Sequence, residues 1–144
     1  MERNGEETPL LILLPSLQKI ISLTEIHKIF GMTKSQIRIL ISLHYRKNMT
    51  MSEVAHNLSS AKEQATRVVS TLYEQGLVER FEDPRNRTHV YIRFSELGKQ
   101  YMQKVLEELN REVSQKINAS LSDEDIALLN KSVQTTVEIL NKIE

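Results

Sequence analysis

The side chains best suited to chemistry in this 144-residue chain are basic, and they lie in two segments. Residues 33–52 contain four lysines and arginines and no acid, and residues 85–94 contain three arginines. The members are Lys34, Arg38, Arg46, Lys47, Arg85, Arg87 and Arg93. Lysine and arginine bind anionic oxygens such as those of phosphate. Because 19 basic and 19 acidic residues give a net charge of zero, any attraction for a polyanion must come from these two segments.

Side chains for metal or covalent chemistry lack the required spacing. Cysteine is absent, which excludes disulfides, thiolate ligands and a thiol nucleophile. The four histidines lie in four different segments: His27, His44, His56 and His89. We expect no metal and no cofactor, with His44 buried on an apolar helix face; a metal site assembled in space by the helices is the less favoured alternative.

Enzymatic chemistry is not indicated either. The acidic run at residues 123–125 suits the start of a helix, where the dipole favours negative charge, better than a catalytic carboxylate pair. The sequence contains no glycine-rich phosphate loop and no nucleophile elbow. We therefore predict that the protein is not an enzyme.

The apolar run at residues 10–14 is too short for a membrane span, and an acidic flank argues against a signal peptide. We expect a cytoplasmic protein without membrane contact. The helical spacing that starts here continues over residues 10–30 and ends at Gly31. This helix begins either at Pro9 with Thr8 as its cap and a kink at Pro15, or at Pro15 itself.

Three capping boxes precede the next three apolar patterns. They pair Thr33 with Gln36, Thr50 with Glu53, and Ser60 with Glu63. The second helix is only about two turns long. A short helix, a tight connection and a longer capped helix form the helix-turn-helix pattern.

Beyond Gly76 the period changes from 3.6 to 2, which predicts a β-hairpin with a charged turn at residues 83–87. Its second strand has Val90, Ile92 and Phe94 on one face, with Tyr91 and Arg93 on the other. Ser95 and Ser122 then cap two long helices whose apolar stripes a small winged domain cannot cover. A second copy of the chain is expected to cover them.

In this order and spacing, the segments at residues 31–98 resemble the MarR (multiple antibiotic resistance regulator) family. The resemblance lies in MTKSQIRILISL, MTMSEVAHNLSS, AKEQATRVVSTLYEQGLVER and DPRNRTHVYIRFSELGKQ. Two departures stand out. Asn86, Arg87 and Thr88 occupy positions where the family commonly has Asp-Arg-Arg, which implies a weaker wing, and Phe94-Ser95 replaces Leu-Thr while keeping the cap.

The resemblance implies a mainly α fold, with a winged helix-turn-helix at residues 33–94 and dimerisation helices at residues 9–32 and 95–144 in a single domain. It implies a homodimeric repressor that binds pseudo-palindromic double-stranded DNA and is released by a small phenolic or anionic effector. The effector candidates are His44, Tyr45, Arg46 and Tyr101. Interface packing is the alternative role for the two tyrosines.

The expected DNA contacts follow from helix and hairpin geometry, because an α-helix fits the major groove. Arg67 suits a guanine edge and Gln64 an adenine edge. Helix N-termini offer backbone donors to phosphate, and arginines at a hairpin tip suit a narrow minor groove. The full set comprises Lys34, Thr50, Ser52, Ser60, Lys62, Gln64, Thr66, Arg67, Ser70, Thr71, Arg85, Asn86 and Arg87.

Other roles for these residues stay open. Arg67 can instead pair with Glu63 or Glu74 along its own helix, and Glu63 suits a capping role better than a base contact. The arginine-rich turn can be a solvated loop. The alternative function is a winged-helix protein-interaction module without DNA binding, which the zero net charge, Glu63 and the altered wing favour.

Overall fold

The computed structural model describes residues 9–143, except for the side chains of residues 87 and 88. This part of the chain is mainly helical with a small sheet, as the sequence predicts. In chain order the elements are a 3₁₀ turn (Leu10–Ile12), α1 (Leu13–Leu23), α2 (Ile26–Ile29), α3 (Lys34–Arg46), β1 (Asn48–Thr50), α4 (Met51–Leu58), α5 (Lys62–Glu74), β2 (Val78–Asp83), β3 (Asn86–Phe94), α6 (Glu96–Ser120) and α7 (Asp123–Leu140).

Two compact units divide the chain. One consists of residues 25–108 and contains the helix-turn-helix and the sheet. Its buried apolar core is formed by Ile26, Met32, Ile37, Ile39, Leu40, Leu43, Met49, Val54, Ala65, Val69, Leu72, Leu77, Val78, Ile92, Phe94, Met102 and Val105. The other unit contains the segments up to Thr24 and from Leu109 onward.

The predicted continuous helix over residues 10–30 is wrong, because the chain becomes extended at Thr24 (φ −78°, ψ 151°). The Thr24 hydroxyl donates to the carbonyl oxygen of Ile21 at 2.6 Å and so helps to end α1. Pro15 neither begins α1 nor lies deep inside it. It is the third residue, where the helix does not need its backbone N–H. Thr8, the alternative cap, lies outside the described residues.

Helix α3 begins as predicted, since Thr33 and Gln36 form both hydrogen bonds of a capping box, at 3.1 and 2.8 Å. In the last turn of α3, the buried residue is not the one that the sequence predicts. His44 is exposed, and in the last turn Leu43 is the buried residue. Period 3.6 alone does not distinguish these neighbouring positions, and packing against α4 and α5 decides between them.

The sheet has three antiparallel strands in the order β1-β3-β2. Strand β1 pairs Met49 with Ile92 and was not predicted, because three residues are too few to show alternation. The hairpin turn is shorter than predicted: β2 continues to Asp83, and β3 already begins at Asn86. Val90, expected on the buried face with Ile92 and Phe94, is 37% exposed, since it lies towards the hairpin tip.

A joint of four residues holds the base of the hairpin. The Ser95 hydroxyl donates to the carbonyl oxygen of Gly76 at 2.5 Å and accepts from the backbone N–H of Gly98 at 2.9 Å. The backbone N–H of Ser95 donates to the carbonyl oxygen of Leu77 at 3.0 Å. A Cβ at position 98 would overlap that same carbonyl oxygen of Leu77, so only glycine permits this approach. The predicted Ser95 cap is confirmed.

We predict that Gly98→Ala lowers the free energy of unfolding by about 1–3 kcal/mol, because the added methyl group must displace backbone atoms of Leu77. Urea denaturation followed by circular dichroism measures the loss. Gln100→Ala, at an exposed position of the same helix, is the control and should change stability by less than about 0.5 kcal/mol. Equal stability of the two variants would show that the approach is not tight.

Candidate nucleic-acid interface

Helix α5 presents one polar face and buries the other. Ala65, Val69 and Leu72 are fully buried at helical spacing, which places the remaining side chains outside the core. Val68, predicted for the core, is half-buried. The predicted outward residues divide into an exposed group, Lys62, Glu63, Gln64, Thr66 and Arg67, and a half-buried pair, Ser70 and Thr71.

Two hydroxyl groups on this face are already oriented by the helix. Thr66 Oγ1 donates to the carbonyl oxygen of Lys62 at 2.9 Å, and Thr71 Oγ1 donates to that of Arg67 at 3.1 Å. Each oxygen therefore keeps lone pairs that can accept a hydrogen bond from a ligand. The face offers acceptors at Thr66 and Thr71, and donors at Arg67.

Within the part of the chain that the structure describes, Arg67 forms no ion pair. The alternative pairs with Glu63 and Glu74 along the helix are not formed. An exposed guanidinium without a carboxylate partner retains its full charge and all five N–H donors. The arrangement leaves Arg67 available for an external acceptor.

The capping box predicted for α5 is wrong. The helix begins after Ala61, which has no side-chain cap, and the Ser60 hydroxyl lies 3.4 Å from the carbonyl oxygen of Ala61. Ser59 takes a left-handed conformation (φ 49°) at the end of α4, and this geometry shifts the start of α5 by one residue. Glu63 is therefore no capping partner, and the first N–H groups of α5 have no side-chain acceptor.

Helix α4 is capped by half of its predicted box. Thr50 Oγ1 accepts from the backbone N–H of Glu53 at 3.2 Å, but the Glu53 carboxylate pairs with Arg46 at 3.0 Å. Ser52, the residue before Glu53, is exposed at the start of the helix. Lys34 is likewise exposed at the start of α3. Two predicted phosphate contacts are therefore accessible at helix N-termini.

The hairpin tip is a two-residue turn at Pro84 and Arg85. The backbone N–H of Arg85 donates to the Asp83 carboxylate at 2.9 Å, which stabilises the turn, and the side chains of Arg85 and Asn86 are exposed. Arg87 is placed by its backbone in β3 instead of the turn, and its side chain lies outside the described residues. The tip therefore presents Arg85 as its described cation.

Two of the basic side chains are neutralised locally. Arg46 pairs with Glu53, and Arg93 pairs with Glu79 at 2.8 Å. Six further basic side chains, in the two basic segments and on α5, form no ion pair within the described range 9–143: Lys34, Arg38, Lys47, Lys62, Arg67 and Arg85. All six belong to residues 25–108, the unit that contains the helix-turn-helix and the wing.

Sequence reasoning missed one further cation, Arg80. Its guanidinium lies over the Tyr73 ring, 5.5 Å from the centroid, and the residue is exposed at the start of the wing. Arg80 stands outside the two basic segments, between glutamate and phenylalanine, so composition gave no signal. Its contact depends on Tyr73, which lies seven residues earlier, in the last turn of α5.

The four effector candidates have different partners. The ring centroids of His44 and Tyr45 lie 5.1 Å apart, and Tyr45 is 75% exposed. Arg46 borders a depression of about 260 Å³ that Ser52, Glu53, His56 and Asn57 complete.

Tyr101 instead packs edge-on against Phe30 at 5.4 Å, and burial raises the pKa of its hydroxyl. A raised pKa keeps the phenol protonated, so Tyr101 is a neutral hydrogen-bonding group at this position.

The described residues form neither a metal-binding cluster nor a membrane-spanning helix. There, no three histidine, aspartate or glutamate side chains come close enough together to hold a metal ion. None of the described helices combines the length and apolarity that crossing a membrane requires.

Comparison with known proteins shows that part of the chain matches a family model. Residues 32–90 match the model described as the MarR family. No curated protein has a matching sequence. The structure is similar to wild-type MarR from E. coli in its apo form, with 22% identity and a TM-score of 0.69 over 92% of this chain and 98% of that one.

Two further solved structures share the fold. The transcriptional regulator Tm0710 from Thermotoga maritima is 20% identical, with a TM-score of 0.66 over 96% of this chain and 100% of that one. A mutant of S. aureus MepR bound to an oligodeoxyribonucleotide is 15% identical, with a TM-score of 0.61 over 93% and 99%. The chain thus contains a domain that matches the MarR family model at residues 32–90, on a fold that it shares with these structures over nearly its whole length.

Proposed function

We propose that this protein is a homodimeric transcriptional regulator that binds double-stranded DNA sequence-specifically in the cytoplasm. The observation that carries the proposal is the polar face of α5, on which Gln64 and Arg67 are exposed and Arg67 has no carboxylate partner in the described chain. Helix α5 follows the short helix α4, as the second helix of a helix-turn-helix does. No catalytic role is proposed.

Base recognition is assigned to the side chains in the first turns of α5. A guanidinium can donate two hydrogen bonds to guanine, and an amide can pair with adenine. Arg67 and Gln64 therefore read the major groove. Thr66, Ser70 and Thr71 line the same face. The Thr66 and Thr71 oxygens accept from base amino groups, since their hydrogens are bonded to the helix backbone, and the Ser70 hydroxyl donates to a phosphate.

Phosphate contacts are assigned to the periphery of the same unit. The first N–H groups of α5 lack a side-chain cap, and Lys62 and Ser60 lie beside them. Lys34, Thr50 and Ser52 occupy the starts of α3 and α4. At the wing, Arg85, Asn86 and Arg87 are assigned to the adjacent minor groove, where Arg85 contacts the phosphates along the edge of the groove.

Homodimerisation is proposed because two helices bury nothing in the single chain. No residue of α1 or α7 is buried, although both carry apolar stripes. The exposed apolar residues are Leu13, Leu14, Leu17, Leu23, Leu128, Leu129, Val133, Val137, Ile139 and Leu140. Stripes of this length on a water-soluble protein need a partner, and a second copy offers the same apolar surface.

Repression with release by a small phenolic or anionic effector completes the proposal. The family resemblance supports it, as does the DNA-bound MepR mutant that shares the fold. His44, Tyr45, Arg46 and Tyr101 are the proposed effector contacts. The depression beside Arg46 has room for a small ligand, and Arg46 is the charged group there.

A protein-interaction module without DNA binding is the second candidate. Glu63 is exposed on the polar face of α5 and is not occupied as a cap, so it would face phosphate groups. The ion pair between Arg93 and Glu79 also removes one wing charge. These two observations favour a protein partner over DNA.

The salt dependence of DNA affinity separates the two functions. For a regulator with about six phosphate contacts, we expect affinity to fall roughly 10³-fold between 50 and 200 mM salt, since counterions are released on binding. Fluorescence anisotropy with labelled genomic fragments measures this slope. Absent or salt-independent binding would support the interaction module.

Arg67 and Arg85 should differ in what they contribute. Arg67→Ala removes a base contact, so preference at one position of each half-site should fall by about 1–3 kcal/mol. Arg85→Ala removes a phosphate contact, so affinity should fall on all sequences and the salt slope should decrease by about 0.9. Arg87→Ala is expected to behave like Arg85→Ala. Binding to duplexes selected from a random pool, and to their single-position variants, gives both quantities.

Lys104→Ala is the control for these arginine variants, because it removes an exposed cation from α6. It should leave sequence preference unchanged. The assigned roles are wrong if Arg67→Ala and Arg85→Ala reduce binding equally on every sequence.

Disrupting the apolar stripe of α7 should dissociate the dimer. In Val133→Glu/Val137→Glu, two half-exposed valines become charged, and the loss of their burial should weaken association by about 3 kcal/mol, roughly a hundredfold. Light scattering after size-exclusion chromatography measures the mass. Lys131→Glu, off the stripe on the same helix, should remain dimeric. A double variant with the wild-type mass would place the interface elsewhere.

A further inference from the structure

The outward face of the wing sheet carries a ladder of four side chains, Glu79, Phe81, Tyr91 and Arg93, here called the wing ladder. Two directly opposed residue pairs build it: Glu79 faces Arg93, and Phe81 faces Tyr91. The Arg93 side chain donates to the Glu79 carboxylate at 2.8 Å and lies over the Phe81 ring, 4.4 Å from its centroid. The Phe81 and Tyr91 rings are stacked with centroids 5.4 Å apart.

Each member of the wing ladder thus contacts the next one. Opposed aromatic and oppositely charged pairs are the contacts that stabilise a pair of antiparallel strands. A guanidinium over an aromatic face adds a cation–π interaction. The four side chains together fix β2 and β3 relative to each other at the base of the wing.

Beyond the wing ladder the pairing of the hairpin becomes irregular. Glu82 is opposite Val90, but the next residue, Asp83, is opposite Asn86. Residues 87–89 of β3 consequently have no opposite residues on β2. Regular strand pairing therefore ends at Val90, and the tip with Arg85 lies past this irregularity.

The wing ladder ends where the irregular segment begins. Tyr91 is its last ring, and the His89 ring lies 6.3 Å from it, tilted by 59°. The stack thereby reaches the first side chain of the irregular segment.

We propose that the wing ladder is a positioning device, which directs the wing tip so that Arg85 reaches the DNA backbone. The inference rests on the proposed DNA-binding function. Arg93 itself makes no phosphate contact in this proposal, because its guanidinium is already neutralised by Glu79 and covers Phe81. The Glu79 carboxylate beside it would also repel phosphate.

Double-variant analysis tests the proposal on a labelled duplex that the wild-type protein selects from a random pool. Phe81→Thr/Tyr91→Thr removes the rings and keeps strand-forming residues. The loss of affinity should match that of Arg85→Ala, about fivefold, and the salt slope should decrease by about 0.9. Adding Arg85→Ala to the ladder variant should cause no further loss, because the tip is already misplaced.

Arg93→Gln separates positioning from direct contact. Under our proposal, the variant that combines Arg93→Gln with Arg85→Ala loses no more affinity than Arg85→Ala alone. If instead the two fold-losses of DNA affinity multiply, and the salt slope of the combined variant decreases by about a further 0.9, Arg93 is a phosphate ligand and the proposal is wrong.

Conservative variants and a matched control accompany the test. Tyr91→Phe and Phe81→Tyr keep the stack and should bind as wild type does. Glu25→Gln is the control: the Glu25 carboxylate is exposed and pairs with Lys28 at 2.8 Å, the same distance as in the Glu79 pair, but it lies outside the wing. It should have no effect on affinity.

Amide hydrogen exchange of the free protein provides a second readout. In Phe81→Thr/Tyr91→Thr, exchange should accelerate at residues 85–90 while α5 keeps its protection. If the double variant unfolds, Tyr91→Thr alone gives the same comparison. An unchanged exchange rate in the wing would contradict the proposal.

Different results would contradict the proposed function and the positioning role of the wing ladder. If the wild-type protein shows no salt-dependent binding to DNA, the proposed function is wrong. If the wild-type protein and Arg85→Ala behave as expected but the ladder variants bind normally or additively, only the positioning role is wrong.

Discussion

The joint between Ser95, Gly98 and the backbone of Gly76 and Leu77 is the constraint on which the candidate interface depends. It connects the end of α5 and the start of β2 with the end of β3 and the start of α6. A single hydroxyl group and one missing Cβ thereby fix both strands of the hairpin at their base. Because α5 ends at this joint, the helix and the wing are held together within residues 25–108.

Burial of one side of α5 decides which of its residues face outward. Ala65, Val69 and Leu72 are fully buried, and this orientation exposes Gln64 and Arg67. Rotating the helix by one residue would bury polar groups such as Thr66 and Ser70 in place of apolar side chains, which is costly unless they find hydrogen-bond partners. The hydrophobic core therefore sets the direction of the polar side chains, and these supply the hydrogen-bonding groups.

Residues 25–108 keep several positive charges unpaired although the whole chain is neutral. Arg46 and Arg93 serve internal pairs, whereas Arg67 and Arg85 remain unpaired within the described residues. Salt screens such local charges beyond about 10 Å, so they act at contact and exert little attraction from a distance. A surface of this kind favours a fitted duplex over indiscriminate binding to a polyanion. The wing ladder belongs to the same scheme, since it directs one of the free cations.

The sequence alone determined what depends on neighbouring residues: the class of each long helix, the caps at Thr33, Ser95 and Ser122, and the polar face of α5. Tertiary structure decided what depends on partners distant in the chain. These features are strand β1, the exposure of His44 and the contacts of Arg93. Helical period and caps arise within a few residues, so they are visible in the sequence. Cross-strand pairs and the edge of the core arise only when segments 14 or more residues apart meet, as Glu79 and Arg93 do.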